Sequence, residues 1–189
     1  MSLKRWLIIG LAVLVAAGGA TAAFASGQDG LAAVRAATAR FHDPQAAQAA
    51  GYVKVAGLDY CFNNPGVGGM GFHLINTSLL DTQLDALHPE AMVYAPGDDG
   101  GLQLVAVEWI VPADAWNKTG ATQPPSVLGR SLHLLPALGV YALHAWIWKP
   151  NPSGMFQDWN PSAVSDKAFG TWHNVRYAQS HIRPLANRG

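Results

Sequence analysis

The ten residues Leu102-Gln103-Leu104-Val105-Ala106-Val107-Glu108-Trp109-Ile110-Val111 constrain this chain more than any other stretch. Val, Leu, Ile and Trp suit a pleated, packed surface, so the run predicts a long strand. Alternation along it places Glu108 with Leu104, Ala106 and Ile110, opposite Val105, Val107 and Trp109. Both faces are apolar, and Glu108 is one of only two glutamates in the chain. A carboxylate in such a place is costly unless it is paired, protonated or bound to a metal, so Glu108 requires a partner.

Two histidines occupy comparable settings. His73 sits within Gly71-Phe72-His73-Leu74-Ile75 and His144 within Tyr141-Ala142-Leu143-His144-Ala145-Trp146-Ile147-Trp148, each central in a predicted strand. Alternation puts His144 on a face with Ala142, Trp146 and Trp148. If these strands neighbour the Glu108 strand, His73, Glu108 and His144 form a two-histidine, one-carboxylate set able to hold Zn, Fe or Cu with positions open to water or substrate. No H-x-H or H-E-x-x-H spacing supports the set. The competing reading is a wet core pocket in which Glu108 accepts hydrogen bonds from an imidazole or a Trp nitrogen. Acid/base catalysis without metal is a third use of the same groups. His133 is a candidate fourth ligand. His88, ahead of Pro89, reads as turn chemistry, and His173 and His181 read as parts of a solvated tail.

Organisation around these strands predicts an α+β fold, with N-terminal helices packed on a mainly antiparallel sheet as a ferredoxin-like layer or small barrel. Leu31, Val34 and Phe41 mark a first helix. Asp43 caps a second over Gln45 to Ala50, with Pro44 at its first turn and Gly51 as its stop. Strands are expected at Met70 to Asn76, Ala91 to Ala95, Leu102 to Val111 and Tyr141 to Lys149. Pro96-Gly97-Asp98-Asp99-Gly100-Gly101 joins the second and third as a hairpin. Pro112 to Gly139, with Pro124-Pro125 and Pro136, reads as an irregular excursion, and the part after Pro150 as covering loop.

The first 25 residues are expected to leave the mature chain, the competing reading being a retained membrane anchor over Trp6 to Phe24. Lys4-Arg5, the apolar stretch Trp6 to Ala17 and the terminal Ala23-Phe24-Ala25 follow the layout of a cleaved secretory signal. Export to the periplasm or beyond follows, with residues 26–189 as one globular domain and no membrane attachment after cleavage. The mature chain then carries ten basic and twelve acidic residues, a formal charge of −2. The basic residues are scattered singly, which argues against a nucleic-acid partner. Cys61 is the sole cysteine and cannot form an internal disulfide, so it reads first as a buried apolar thiol and second as a ligand or redox group. Gly66-Val67-Gly68-Gly69-Met70-Gly71 fails as a phosphate loop because no Lys-Ser/Thr pair or helix follows; its glycines fit tight backbone turns or close approach to a ligand. No G-x-S-x-G elbow is present.

The blocks Met70-Gly71-Phe72-His73-Leu74-Ile75-Asn76 and Leu143-His144-Ala145-Trp146-Ile147-Trp148-Lys149-Pro150-Asn151-Pro152-Ser153-Gly154-Met155-Phe156, continued by Asp158-Trp159-Asn160-Pro161, resemble a group of uncharacterised exported bacterial proteins. The resemblance runs from Phe41-His42-Asp43 to Pro161 and implies export but no activity. Two functions remain in view. One is a mononuclear metal site, with His73, Glu108 and His144 as ligands and Trp109, Trp146 and Trp148 lining the pocket. The other is a metal-free periplasmic binding protein that holds a small apolar or aromatic ligand against the tryptophans. An interaction module without a small ligand would instead need an exposed apolar patch.

Overall fold

A computed structural model describes residues 28–58, 60–98, 101–164 and 175–176. The expected signal segment and the tail histidines lie outside the described residues. No helix among the described residues is long and apolar enough to cross a membrane.

Helices open the described chain, as the N-terminal pattern predicts. α1 (Gln28–Thr38) runs into a 3-10 turn over Ala39–His42, and α2 (Pro44–Ala49) starts after the corner. Asp43 caps α2 by accepting the Gln45 backbone N–H at 2.8 Å, and Pro44 occupies the first turn where its missing N–H costs nothing.

The strands are β1 (Phe62–Asn64), β2 (Gly68–Ile75), β3 (Ala91–Pro96), β4 (Leu102–Pro112), β5 (Ser126–Val127), β6 (Arg130–Ser131), β7 (His133–Leu135), β8 (Val140–Ala145) and β9 (Val175–Arg176). They form a sheet of order β7-β8-β4-β3-β2-β1-β9 and a separate β5-β6 pair. Every pairing is antiparallel except β1 with β9. β1 to β4 make a meander rather than the split β-α-β order of a ferredoxin-like layer, and the sheet curls like half of a barrel. The stretch from Pro112 to Gly139, expected to be irregular, contains α3 (Ala113–Lys118), the β5-β6 pair and edge strand β7.

The sheet buries both faces, each against a different cover. Phe72, Leu74, Met92, Tyr94, Val107, Trp109 and Leu143 face Leu31, Val34, Phe41, Ala47 and Tyr52 from the helical end. Hydrogen bonds fix this layer: the Tyr94 hydroxyl donates to the Phe41 carbonyl at 2.7 Å and the Arg35 guanidinium to the Ile147 carbonyl at 2.8 Å. The other face carries Ile75, Ala91, Ile110, Val140 and Ala142, covered by Leu58 and by Trp159 of the C-terminal segment.

Two bulges break the alternation read from the sequence. In β4 the register passes from Val93↔Ala106 to Tyr94↔Leu104, leaving Val105 as the extra residue. Leu104 therefore joins the helix-covered face instead of the face of Glu108, while Val105 and Ala106 both pack with Val93 and Trp146. In β2 Gly71 pairs with Phe62 and Gly69 with Asn63, so Met70 bulges out of line. Gly71 has φ +86°, and a Cβ there would meet the Tyr94 carbonyl and Val93, which only glycine avoids. The bulge turns Met70 to the face of His73, where it packs with Phe62 and Ile75.

Candidate metal centre

Strand pairing brings Glu108 and His144 together directly. They lie opposite each other across β4 and β8, the position in which cross-strand side chains interact most closely. His73 is harder to place, because β3 and β4 separate β2 from β8 and three strand spacings span roughly 14 Å in a flat sheet. Curling closes that distance. The small Ala91, opposite Glu108, and Ala106, opposite Val93, keep the floor between them low.

The three side chains converge with almost no exposure: 6% for His73, 5% for Glu108 and none for His144. His73 Nε2 lies 3.2 Å from His144 Nε2 and 3.4 Å from Glu108 Oε2. His144 Nδ1 lies 3.1 Å from Glu108 Oε1, an ion-pair contact between two buried groups. One ligand atom from each residue falls within 4.8 Å of those of the others, a spacing compatible with a shared metal ion. An ion held tetrahedrally at 2.0–2.2 Å separates its ligand atoms by roughly 3.3–3.6 Å, close to the two His73 contacts.

Asp158 completes the constellation, and sequence reasoning missed it. Its Oδ1 is 3.7 Å from His144 Nδ1, and its Oδ2 is 2.9 Å from His133 Nε2. Asp158 comes from a turn-rich segment with no periodicity to place it. The signal lay in Gly68-Gly69: Gly69 bridges to Asn160, each N–H donating to the other's carbonyl at 2.9–3.0 Å. A Cβ on Gly69 would collide with the Ala163 carbonyl, so the glycine pair admits the segment that delivers Asp158. Asn160 is wholly buried; its Oδ1 accepts from Ser162 N–H at 2.8 Å and its Nδ2 donates to the Pro150 carbonyl at 3.1 Å. The close approach that the glycines permit is thus to the chain's own backbone.

Burial pushes the His73 imidazole down to about 4, against the opposing pull of Glu108. Burial acts the same way on His144, but Glu108 and Asp158 overcome it and raise that group to about 10. Burial pushes Glu108 up, but His144 and His73 together hold it below its ordinary value; burial likewise pushes Asp158 up, and His133 and His144 together hold it down. His133 is raised by its hydrogen bond to Asp158. Without metal, then, a charged His144 sits between two carboxylates and donates from Nε2 to the neutral His73. Nδ1 of His73 lies towards the Gly71 carbonyl, which slightly favours its protonated form, but makes no hydrogen bond of good geometry.

The tryptophans are arranged differently from the expectation. Trp109 packs on the helix-covered face, with Nε1 donating to the Asp85 carbonyl at 3.2 Å. β8 ends at Ala145, so alternation stops before Trp148, which turns to the same opposite side and meets the His42 ring edge-on at 4.4 Å. Trp146 alone stays beside the site, stacked at 6.1 Å from His144, with its own N–H donated to the Gln157 carbonyl. A cavity of about 160 Å³ opens over His73, Glu108 and Asp158, walled by Phe62, Met70, Ile75, Ile110, Leu138 and Trp159 among others. It is mainly aliphatic, and its aromatics are Phe62 and Trp159 rather than the three expected tryptophans.

His133, on β7, is about half exposed and touches the site only through Asp158. His88 hydrogen-bonds Asp85 at 2.8 Å within its turn. Cys61 is buried with Phe41, Tyr52 and Phe72 in the helix-covered core, away from the ligand group.

Comparison with protein-family models, with curated proteins and with solved structures finds no match to this chain.

Proposed function

We propose that the protein holds one divalent transition-metal ion, Zn, Fe or Cu, through His73, Glu108 and His144, beneath an apolar chamber that keeps bulk water from it. The observation that carries this reading is the convergence of two imidazoles and a carboxylate, from three strands, at ligand spacing in a buried floor. Imidazole nitrogen with one carboxylate suits these borderline ions, and a three-ligand set leaves a position for water or a small molecule. Asp158 supports the reading from the rim: close to His144 and bonded to His133, it can orient an imidazole ligand or contribute an oxygen. Export belongs to the same proposal, resting on the Lys4-Arg5, Trp6 to Ala17 and Ala23-Phe24-Ala25 pattern. Processing would leave a mature chain starting at Ser26.

Elemental analysis of the purified mature protein after exposure to each metal tests the reading. The expected result is one equivalent bound, lost in Glu108→Ala and in His144→Ala. Less than a tenth of an equivalent with all three metals would remove it. A second reading is favoured by the charge balance of the groups: the His73–His144 hydrogen bond and the charged His144 between two carboxylates make a compensated polar cluster without an ion. In that case the site is a metal-free binding pocket, and it would bind ligands equally well with chelator present.

A further inference from the structure

We infer that the chamber over the metal floor takes a compact neutral hydrocarbon bearing one hydroxyl group, of the size of a phenol or a six-carbon cyclic alcohol. The inference deepens the proposed metal site and rests on it for one contact, the oxygen that occupies the open coordination position. Size comes from the cavity, about 160 Å³. A dry pocket of about 150 Å³ lined by aliphatic and aromatic side chains accommodates benzene, so a six-membered ring fills this space without rearrangement. The walls, among them Phe62, Met70, Ile110, Leu138 and Trp159, offer that ring apolar contact.

The hydroxyl follows from the floor. Asp158 lines the chamber, and its Oδ1 is buried with no hydrogen-bond partner, while its Oδ2 is already held by His133. The charged His144 Nδ1 faces Oδ1 from 3.7 Å, beyond hydrogen-bond length, which leaves room for a closer donor from the chamber side. A hydroxyl supplies that donor and presents its oxygen to the metal with the same atom. A carboxylate-bearing ligand of equal size lacks the donor and sets a second anionic oxygen against Asp158, a local repulsion that the ion's attraction for the same ligand has to overcome. Selection for the hydroxyl is therefore built into Asp158.

Calorimetric titration of the full mature protein with phenol, cyclohexanol and benzoate, in zinc-loaded and chelator-treated forms, tests the inference. The expected outcome is binding of phenol and cyclohexanol at least about tenfold tighter than benzoate, weakened about tenfold or more in Leu138→Trp, whose side chain fills the half-buried rim. Zinc stoichiometry in Leu138→Trp should equal that of the unmodified protein, which shows that the variant folds. Asp158→Leu, which removes the acceptor, should narrow the preference over benzoate to less than about threefold. Absence of phenol and cyclohexanol binding up to about 10 mM to protein that carries its zinc, or benzoate binding as tightly as phenol, overturns the inference and leaves the metal site standing. Hydroxyl-selective binding by protein that takes up no metal sustains the chamber and removes the metal reading instead.

Discussion

Replacing Glu108 by glutamine keeps the shape of the side chain and removes its charge, which isolates the electrostatic part of the site. In the metal-free protein the Glu108 carboxylate lies 3.1 Å from His144 Nδ1, in a setting where the two side chains are 6% and 0% exposed. At an effective dielectric of about 20, unit charges at that distance attract by roughly 5 kcal/mol. Part of this only offsets the desolvation of both groups, and removal of one partner from a buried pair typically costs about 3–5 kcal/mol because the other charge is left exposed to an apolar surround. Asp158, 3.7 Å away, still faces His144 after the substitution and places the expected loss at the lower end, about 3 kcal/mol. For a domain of this size each kcal/mol shifts Tm by roughly 2–4 °C, so Glu108→Gln should melt roughly 6–12 °C below the unmodified protein at pH 7. Thermal unfolding followed by circular dichroism on chelator-treated protein measures it. The Glu108→Leu/His144→Leu pair, which leaves Asp158 its bond to His133 and strands neither member of the ion pair, should recover part of the loss. A Glu108→Gln midpoint within about 2 °C of the parent would refute the buried ion pair.

Three further outcomes follow from residues outside that pair or from its titration. His144, raised from 6.5 to about 10, stabilises the fold fully below pH 6.5 and loses that contribution as pH rises towards 10; metal-free protein should therefore lose up to ~1.4 kcal/mol per pH unit between pH 8 and 10, a slope that His144→Gln removes in unfolding curves at fixed salt. Glu90, only 1% exposed and pushed up to about 8 by burial, is neutral in the fold and ionised when unfolded between pH 4.5 and 8, so its contribution declines across that range. Glu90→Gln keeps an oxygen for the Ile110 N–H, and its stability relative to the parent should rise by up to ~1.4 kcal/mol per pH unit from pH 5 to 8; a pH-independent difference would contradict a neutral Glu90. Gly69→Ala drives a methyl into the Ala163 carbonyl, so it should cost about 1–3 kcal/mol in denaturant unfolding and disturb His133 by loosening Asp158, visible as a histidine titration moved towards its ordinary value by NMR.

Composition made the strands readable: β2, β3 and β4 match the apolar runs around His73, Met92 and Glu108 to within two residues at each end. Asp43-Pro44 marked the second helix for the same local reason, a cap followed by a residue with no N–H to satisfy. Convergence was less legible. Glu108 and His144 needed only two strands to pair, whereas His73 needed a curl that no single strand encodes. Bulges were invisible to strict alternation, and so Leu104 and Val105 came out on faces other than those read from the sequence. Two of the tryptophans lie elsewhere for a related reason: Trp109 has the opposite parity to Glu108, and the last strand stops before Trp148. Asp158 depends on a backbone bridge, Gly69 to Asn160, between segments distant in sequence, and nothing local announces such a contact.

That bridge also sets an order of assembly. β2, β3, β4 and β8 already contain His73, Glu108 and His144, so the floor of the site is complete once the sheet has paired. Asp158 arrives only when the segment after Trp146 crosses back over β2 and Asn160 exchanges its two backbone bonds with Gly69. Among the contacts that build the site it has the longest sequence separation, so it is the one expected to close last. An ion entering during folding would meet three ligands before the rim is in place, and the chain's own final stretch would then seal it in.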